Sequence, residues 1–119
     1  MAKKILIVDD EEQLRKIYKT VVTSFGYEAE TAVNGKDALE KLAAINPDLI
    51  ITDTNMPEME GNVLCQKIRA DEVYNKLPII AWSGLDNKEI MLNAGANDYL
   101  TKPFRFEDLE AKLKQYLGG

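Results

Sequence analysis

Histidine is absent from this chain of 119 residues, and cysteine and tryptophan occur only once each. Without histidine the chain has no Ser-His triad, no imidazole metal ligand and no imidazole proton shuttle. Cys65 has no second cysteine to pair with, so an internal disulfide and a CxxC site are excluded as well. These absences favour a reducing, cytoplasmic setting.

Long apolar runs and an excess of positive charge are also missing. No apolar run approaches the roughly 20 residues that a membrane span needs. The apolar stretch near the N-terminus is too short for a signal peptide and ends in acidic residues. The net charge of −5 argues against non-specific binding to nucleic acid. We therefore expect one domain over residues 1–119 that is not exported, contacts no membrane and does not itself bind nucleic acid.

Two patterns alternate along the chain. Short apolar, β-rich runs predict strands buried on both faces, as in a parallel sheet. These runs are Ile5–Val8, Leu49–Ile51 and Ile79–Trp82, with the more polar candidates Tyr27–Ala32 and Asp98–Thr101 expected at sheet edges. Between them, apolar residues at helical spacing predict Glu11–Phe25, Lys36–Ile45, Gly61–Ala70, Asp86–Ala94 and Glu107–Leu117. Five successive βα units predict an α/β fold, with a parallel sheet between two layers of helices.

Polar side chains follow the predicted strands at their carboxyl ends, where folds of this kind bind ligands. Asp9 and Asp10 follow the first strand, Asp53 the third, Ser83 the fourth and Lys102 the fifth. The fold would gather three carboxylates, a hydroxyl and an ammonium at one edge of the sheet. Three neighbouring carboxylates repel one another, and Mg²⁺ with oxygen ligands would offset this repulsion. A carboxylate beside Mg²⁺ can accept a phosphoryl group, so these residue types predict a phosphoryl-transfer site.

Motifs along the whole chain carry a family resemblance. They are ILIVDDEE, PDLIITDTNMPEMEG, the serine after PIIAW, AGANDYLTKPF and the closing helix. In this order and spacing they resemble the receiver domain of response regulators, and the chain is similar to single-domain receivers such as the chemotaxis response regulator. The resemblance implies a doubly wound, flavodoxin-like sandwich with strand order 2-1-3-4-5.

The resemblance also implies residue roles. Asp53 would be the phosphoacceptor, and Asp10 and Asp53 direct Mg²⁺ ligands, with Asp9 acting through water. The main-chain carbonyl of Asn55 would be a third protein ligand. Lys102 would pair with the phosphoryl group and form a cis bond to Pro103, and Ser83 and Tyr99 would be the switch pair. Asn55 and Tyr99 also have simpler interpretations, as a turn residue and as a packed aromatic, and we expect Trp82 to be core packing.

The implied function is a phosphorylation-activated switch of a two-component system rather than a turnover enzyme. Its partners would be a sensor histidine kinase or phosphotransfer protein and a downstream protein target, with the chain monomeric or weakly dimeric when phosphorylated. The moving surface would be helix 4, strand 5 and helix 5. Two features depart from the family: Gly84 stands where Ala is usual, and the segment between Ser83 and Lys102 is about one helical turn short.

Three other interpretations remain open. A Mg²⁺-dependent phosphohydrolase would use an aspartyl intermediate, but Asn55 stands where its second aspartate is expected. A scaffold that works without phosphorylation would be favoured by an incomplete acidic set, which is not the case here. The shortened segment is also compatible with an engineered or consensus member of the family.

Overall fold

The computed structural model describes residues 2–54, 59–84 and 88–118. Five strands and five helices alternate along the chain. They are β1 Lys4–Val8, α1 Glu12–Ser24, β2 Glu28–Ala32, α2 Gly35–Ile45, β3 Leu49–Asp53, α3 Gly61–Ala70, β4 Ile79–Ser83, α4 Lys88–Ala94, β5 Asp98–Thr101 and α5 Phe106–Leu117. Among these helices none is both long and apolar enough to cross a membrane.

The strands form one parallel sheet in the order β2-β1-β3-β4-β5, which confirms the predicted α/β fold and its strand order. The two polar strands, β2 and β5, lie at the edges as predicted. An edge strand pairs with only one neighbouring strand, and its side chains are less completely buried than those of a central strand. It therefore tolerates polar residues that a central strand does not. The apolar β1, β3 and β4 therefore occupy the centre.

Two apolar cores lie on opposite faces of the sheet. Successive side chains of a strand point to opposite faces, and β1 shows this directly. Leu6 and Val8 pack in one core, with residues of α2, α3 and α4. Ile5 and Ile7 pack in the other, with residues of α1 and α5. The result is the three-layer sandwich that the βα repeats predict.

The strand ends differ from the apolar runs that predicted them. β3 continues through Thr52 to Asp53, and β4 continues to Ser83, because these polar residues still pair in the ladder. Asp53 is opposite Trp82, and Ser83 is opposite Thr101. These apolar runs thus end before their strands do, and two of the predicted site residues, Asp53 and Ser83, lie inside the sheet rather than beyond it.

The helix ends that the structure describes were predicted to within one residue, including the end of α4 at Ala94. Asn46, in the left-handed conformation, ends α2, and Gly26 with a φ of 99° follows α1. The predicted capping residue Asp86 lies outside the described residues. The described part of α4, Lys88–Ala94, has seven residues.

Candidate functional site

Three carboxylates meet at the carboxyl end of the sheet. Ligand atoms of Asp9, Asp10 and Asp53 all lie within 4.8 Å of one another. They come from the ends of β1 and β3, which are adjacent and parallel, so the sheet itself sets their spacing. Asp9 is fully buried and Asp53 is 9% exposed, whereas Asp10 is exposed. Two of the three charges thus have little contact with water that could screen their repulsion.

Lys102 brings a positive charge to this group. Its Nζ is 3.2 Å from Oδ2 of Asp9, and its side chain is 20% exposed. The backbone N–H of Lys102 donates to the carbonyl of Ser83 over 2.7 Å, which fixes the start of the side chain beside β4. With three carboxylates and one ammonium, the cluster has a formal charge of −2 (3 negative, 1 positive). A divalent cation would balance it.

Asp53 is held by its own strand and by α3. Its Oδ1 accepts a 2.7 Å hydrogen bond from the backbone N–H of Thr54, and the Thr52 hydroxyl donates to its carbonyl oxygen over 2.9 Å. The backbone N–H of Gly61, at the start of α3, donates to the carbonyl of Thr54. A Cβ on Gly61 would collide with the carbonyl oxygen of Asp53. Only glycine allows α3 to approach this closely.

Asp9 is held from several sides by contacts that the sequence patterns did not predict. Its carbonyl accepts a 2.7 Å hydrogen bond from Nη1 of Arg15, one turn into α1. Its Oδ1 accepts a 2.9 Å hydrogen bond from the backbone N–H of Glu11. Arg15 has no distinguishing signal in the sequence, because it is one of several cations on an amphipathic helix. Only the fold shows that it touches the site.

A cleft of about 450 Å³ opens over the carboxylates. Its lining is Asp10, Glu11, Leu14, Asp53, Ser83, Gly84 and Lys102. Glu11 was predicted only to begin α1, but it also borders the cleft. A second groove lies between α1 and β2 and is lined by Glu12, Arg15, Lys16, Lys19 and Thr31. The cleft over the carboxylates is distinguished by its lining, which includes the predicted site residues Asp10, Asp53, Ser83 and Lys102.

The remaining predicted residues fall in different places. Ser83 is buried and lines the cleft. The Lys102–Pro103 peptide bond is cis. Tyr99 is buried in β5 opposite Ala81, packs in the core with α2, α3 and α4, and does not line the cleft. Asn55, the predicted carbonyl ligand, lies outside the described residues.

The donor set fits Mg²⁺. Its atoms are hard carboxylate oxygens, and two of the three carboxyl groups are almost removed from water. Mg²⁺ binds through one or two carboxylates while keeping several waters, and the open side of the cleft leaves room for them. Asp10 and Asp53 border the open cleft, so they are the groups best placed for direct ligation. Asp9 is occupied by Lys102 and the backbone N–H of Glu11.

Known proteins match both the sequence and the fold. The model of the response regulator receiver domain family matches residues 5–114. The chain is 41% identical over 116 residues to a probable transcriptional regulator, ycf27, of Cyanidium caldarium, covering 95% of this chain and 45% of that protein. The chain spans about half the length of the curated relatives it matches.

Two solved structures align with this chain over the full length of both chains. A putative response regulator from Chloroflexus aurantiacus J-10-fl is 33% identical, with a TM-score of 0.94. The receiver domain of a sensor histidine kinase from Pseudomonas aeruginosa PAO1 is 30% identical, with a TM-score of 0.91, and has a magnesium ion coordinated in its active-site cleft. With the family match over nearly its full length, this chain belongs to the response regulator receiver domains of two-component systems.

Proposed function

We propose that this chain is a phosphorylation-activated signalling switch in which Asp53 accepts a phosphoryl group from a phosphohistidine, with Mg²⁺ as cofactor. The observation that carries the proposal is the grouping of three carboxylates at the carboxyl end of the sheet, where Asp10, Asp53, Ser83 and Lys102 line one cleft. Receiver domains bind Mg²⁺ in their active site and work with histidine kinases, which supports this assignment.

The transfer needs an oxygen of Asp53 in line with the donor. A carboxylate oxygen of Asp53 forms a bond to phosphorus while the bond from phosphorus to the donor imidazole nitrogen breaks. The electron pair of that bond stays on the nitrogen. The hydrogen bond from Thr54 and the packing of Gly61 fix the carboxylate before the donor arrives, and such pre-orientation lowers the barrier. Mg²⁺ would supply positive charge for the phosphoryl oxygens.

Lys102 and Ser83 then act on the product. The phosphoryl group adds about −2 charge, and Lys102 is the ammonium that borders the cleft. Its side chain is partly exposed and flexible enough to move from Asp9 to the phosphoryl oxygens. Ser83 lies at the same edge, and its hydroxyl can donate a hydrogen bond to a phosphoryl oxygen. These new contacts favour a second packing of the structure, which is a population shift.

Tyr99 and the α4-β5-α5 surface are the proposed output. Lys102 follows Tyr99 by three positions at the end of β5, and the neighbouring strand β4 carries Ser83. A displacement of Ser83 or Lys102 therefore reaches β5 directly. We propose protein–protein contact at this surface as the output of this domain, with no turnover of external phosphoesters. The phosphohydrolase alternative is disfavoured because Asn55 stands two positions after Asp53, where a second acid would be needed.

The test is covalent labelling. With Mg²⁺ and a small phosphodonor such as acetyl phosphate, the protein should gain a single acid-stable, hydroxylamine-sensitive phosphoryl group detected by mass spectrometry. Asp53→Asn should gain none, while Asp71→Asn, an exposed carboxylate outside the cleft, should behave as the wild type. Stoichiometric labelling of Asp53→Asn would contradict the assignment, and rapid turnover of unrelated phosphoesters would favour the phosphohydrolase.

A further inference from the structure

Trp82 packs in the core as predicted and also lies next to the cleft. It directly precedes Ser83 on β4, is opposite Asp53 in the sheet and is fully buried. Nζ of Lys102 lies over its ring, 5.5 Å from the centroid. An ammonium within about 6 Å of an indole face is attracted by the negative charge of that face, and tryptophan is the strongest of the aromatic residues in this respect.

The indole is itself fixed by other aromatic rings. The Tyr18 ring centroid is 4.4 Å from that of Trp82 with the planes inclined by 40°, and the Phe104 ring is stacked on it at 5.5 Å and 23°. Tyr18 comes from α1, and Phe104 lies two residues beyond Lys102. The Tyr18 and Phe104 rings also stack on each other, with centroids 5.6 Å apart. Fully buried and packed against this pair, the indole presents a rigid surface to a flexible four-carbon side chain.

The indole N–H is not used for hydrogen bonding. Among the described residues Nε1 of Trp82 is the single buried side-chain nitrogen or oxygen that lacks a hydrogen-bond partner. A buried donor without a partner costs stability. The indole therefore brings into the core a polar group that makes no hydrogen bond there. What it offers Lys102 is a larger and more strongly attracting π face.

The two partners of Lys102 differ in what they leave available. Asp9 neutralises the ammonium, so that contact must be given up when the ammonium binds a phosphoryl group. The indole face carries no net charge and leaves the charge of the ammonium available. A lysine resting on the ring can thus stay at the cleft while it leaves Asp9. An ammonium that is already placed at the cleft lowers the barrier to phosphoryl transfer, whereas a strong contact with Asp9 would first have to be broken.

We propose that Trp82 is a positioning residue, whose indole face holds the ammonium of Lys102 at the cleft for the incoming phosphoryl group. This inference rests on the proposed function, since it assigns a role within the same transfer. It predicts that an aromatic face at position 82, rather than bulk alone, sets the rate at which Asp53 is phosphorylated.

The first experiment compares Trp82→Phe and Trp82→Leu by their phosphorylation rate with acetyl phosphate and Mg²⁺. Trp82→Leu should lose about two- to fivefold in rate, the range expected for a partly exposed cation–π contact. Trp82→Phe, which keeps a π face, should retain most of the rate. Leu113→Ala is the matched control, because it opens the same core on α5 without touching Lys102 and should leave the rate of the folded protein unchanged.

The second experiment observes the contact itself. In protein with ¹³C-labelled lysine, the ε-methylene protons of Lys102 should resonate upfield of the other lysines because of the indole ring current. The resonance is assigned by its disappearance in Lys102→Arg, and it should move to the ordinary position in Trp82→Leu. The wild-type measurement needs no variant at position 82, so it tests the contact even if Trp82→Leu fails to fold.

The outcomes separate the two proposals. A wild-type protein that takes up no phosphoryl group contradicts the proposed function, while the lysine resonance still reports on the contact. An unshifted Lys102 resonance overturns the inference. So does a Trp82→Leu rate equal to that of the wild type, or a Trp82→Phe loss as large as that of Trp82→Leu.

Discussion

The three carboxylates of the cleft are alike in charge but differ in surroundings. Asp9 is fully buried and paired with Lys102, Asp53 is nearly buried and bonded to the N–H of Thr54, and Asp10 is exposed. All three lie within 4.8 Å of one another. Without a divalent cation, the repulsion among these carboxylates opposes folding. The site therefore lowers the free energy of unfolding of the metal-free protein.

Asp10→Asn should therefore stabilise the metal-free protein. Removing one of three neighbouring negative charges should raise the free energy of unfolding in EDTA by about 1 kcal/mol. In Mg²⁺ the wild type should gain more stability than the variant, because a ligand that binds only the folded state stabilises it. Urea denaturation with and without Mg²⁺ measures both effects. Glu28→Gln removes an exposed charge at the opposite end of the sheet and should show neither.

Gly61 and Gly84 both lie near the cleft but differ in the space that a side chain would have. A Cβ on Gly61 collides with the backbone of β3, whereas a Cβ on Gly84 meets no atom of the described residues within 4 Å. Gly61→Ala should lower the free energy of unfolding by about 2–3 kcal/mol, since the backbone must shift. Gly84→Ala should stay within about 0.5 kcal/mol of the wild type. Denaturant titrations of both variants check this, and equal losses would contradict it.

At the scale of elements, β5 is joined to α5 by a polar cluster on one side of the sheet. Oδ1 of Asp98 accepts a 2.9 Å hydrogen bond from Nζ of Lys112, and Oδ2 accepts one of 3.0 Å from the Tyr116 hydroxyl. Burial alone would raise the pKa of Asp98. The hydrogen bonds from Lys112, the backbone N–H of Tyr99 and Tyr116 outweigh burial, so its pKa lies below the ordinary value.

The lowered pKa gives a pH-dependent prediction. Because the folded state favours the carboxylate form of Asp98, its contribution to stability is present above the ordinary pKa of about 4 and is lost as the pH falls through the lowered value. Asp98→Asn should destabilise the protein by about 1 kcal/mol at neutral pH, and this difference should shrink in acid. Glu107→Gln breaks an exposed ion pair with Arg105 and should change little at any pH.

For the molecule as a whole, the sheet separates two cores that share no helix. α2, α3 and α4 pack on one face and α1 and α5 on the other. The cleft lies at the carboxyl end of the sheet, where Leu14 of α1 lines it and Gly61 of α3 packs against its Asp53 from the other layer. A change at the cleft can thus reach either layer, whereas a change deep in one core must pass through the central strands to reach the other.

The separation predicts additive effects. Ile68→Val in α3 and Val22→Ala in α1 remove buried methyl groups on opposite faces of the sheet. Ile68→Val should cost about 1 kcal/mol and Val22→Ala about 2 kcal/mol, and the double variant should equal the sum within about 0.5 kcal/mol. Chemical denaturation of the two single variants and the double variant forms the cycle. A coupling clearly larger than this would show that the two layers deform together.

The sequence by itself determined the order of the elements, the central and edge strands, and the strand ends at which chemistry would be found. Apolar runs, helical spacing and turn residues are local, so they can be recognised without the fold. Asp9, Asp10, Asp53, Ser83 and Lys102 were recognised because parallel strands place their carboxyl ends at one edge. The roles of these residues in phosphorylation stay predictions.

Only the tertiary structure decided which groups touch. Arg15 at the carbonyl of Asp9, Gly61 against Asp53, and Trp82 under Lys102 join residues far apart in the chain. Trp82 was predicted to be core packing, and it is buried, but its neighbour Lys102 gives it a second contact that no spacing reveals. Such contacts depend on the register of the sheet and the packing of helices against it, which are set by the whole chain rather than by any local pattern.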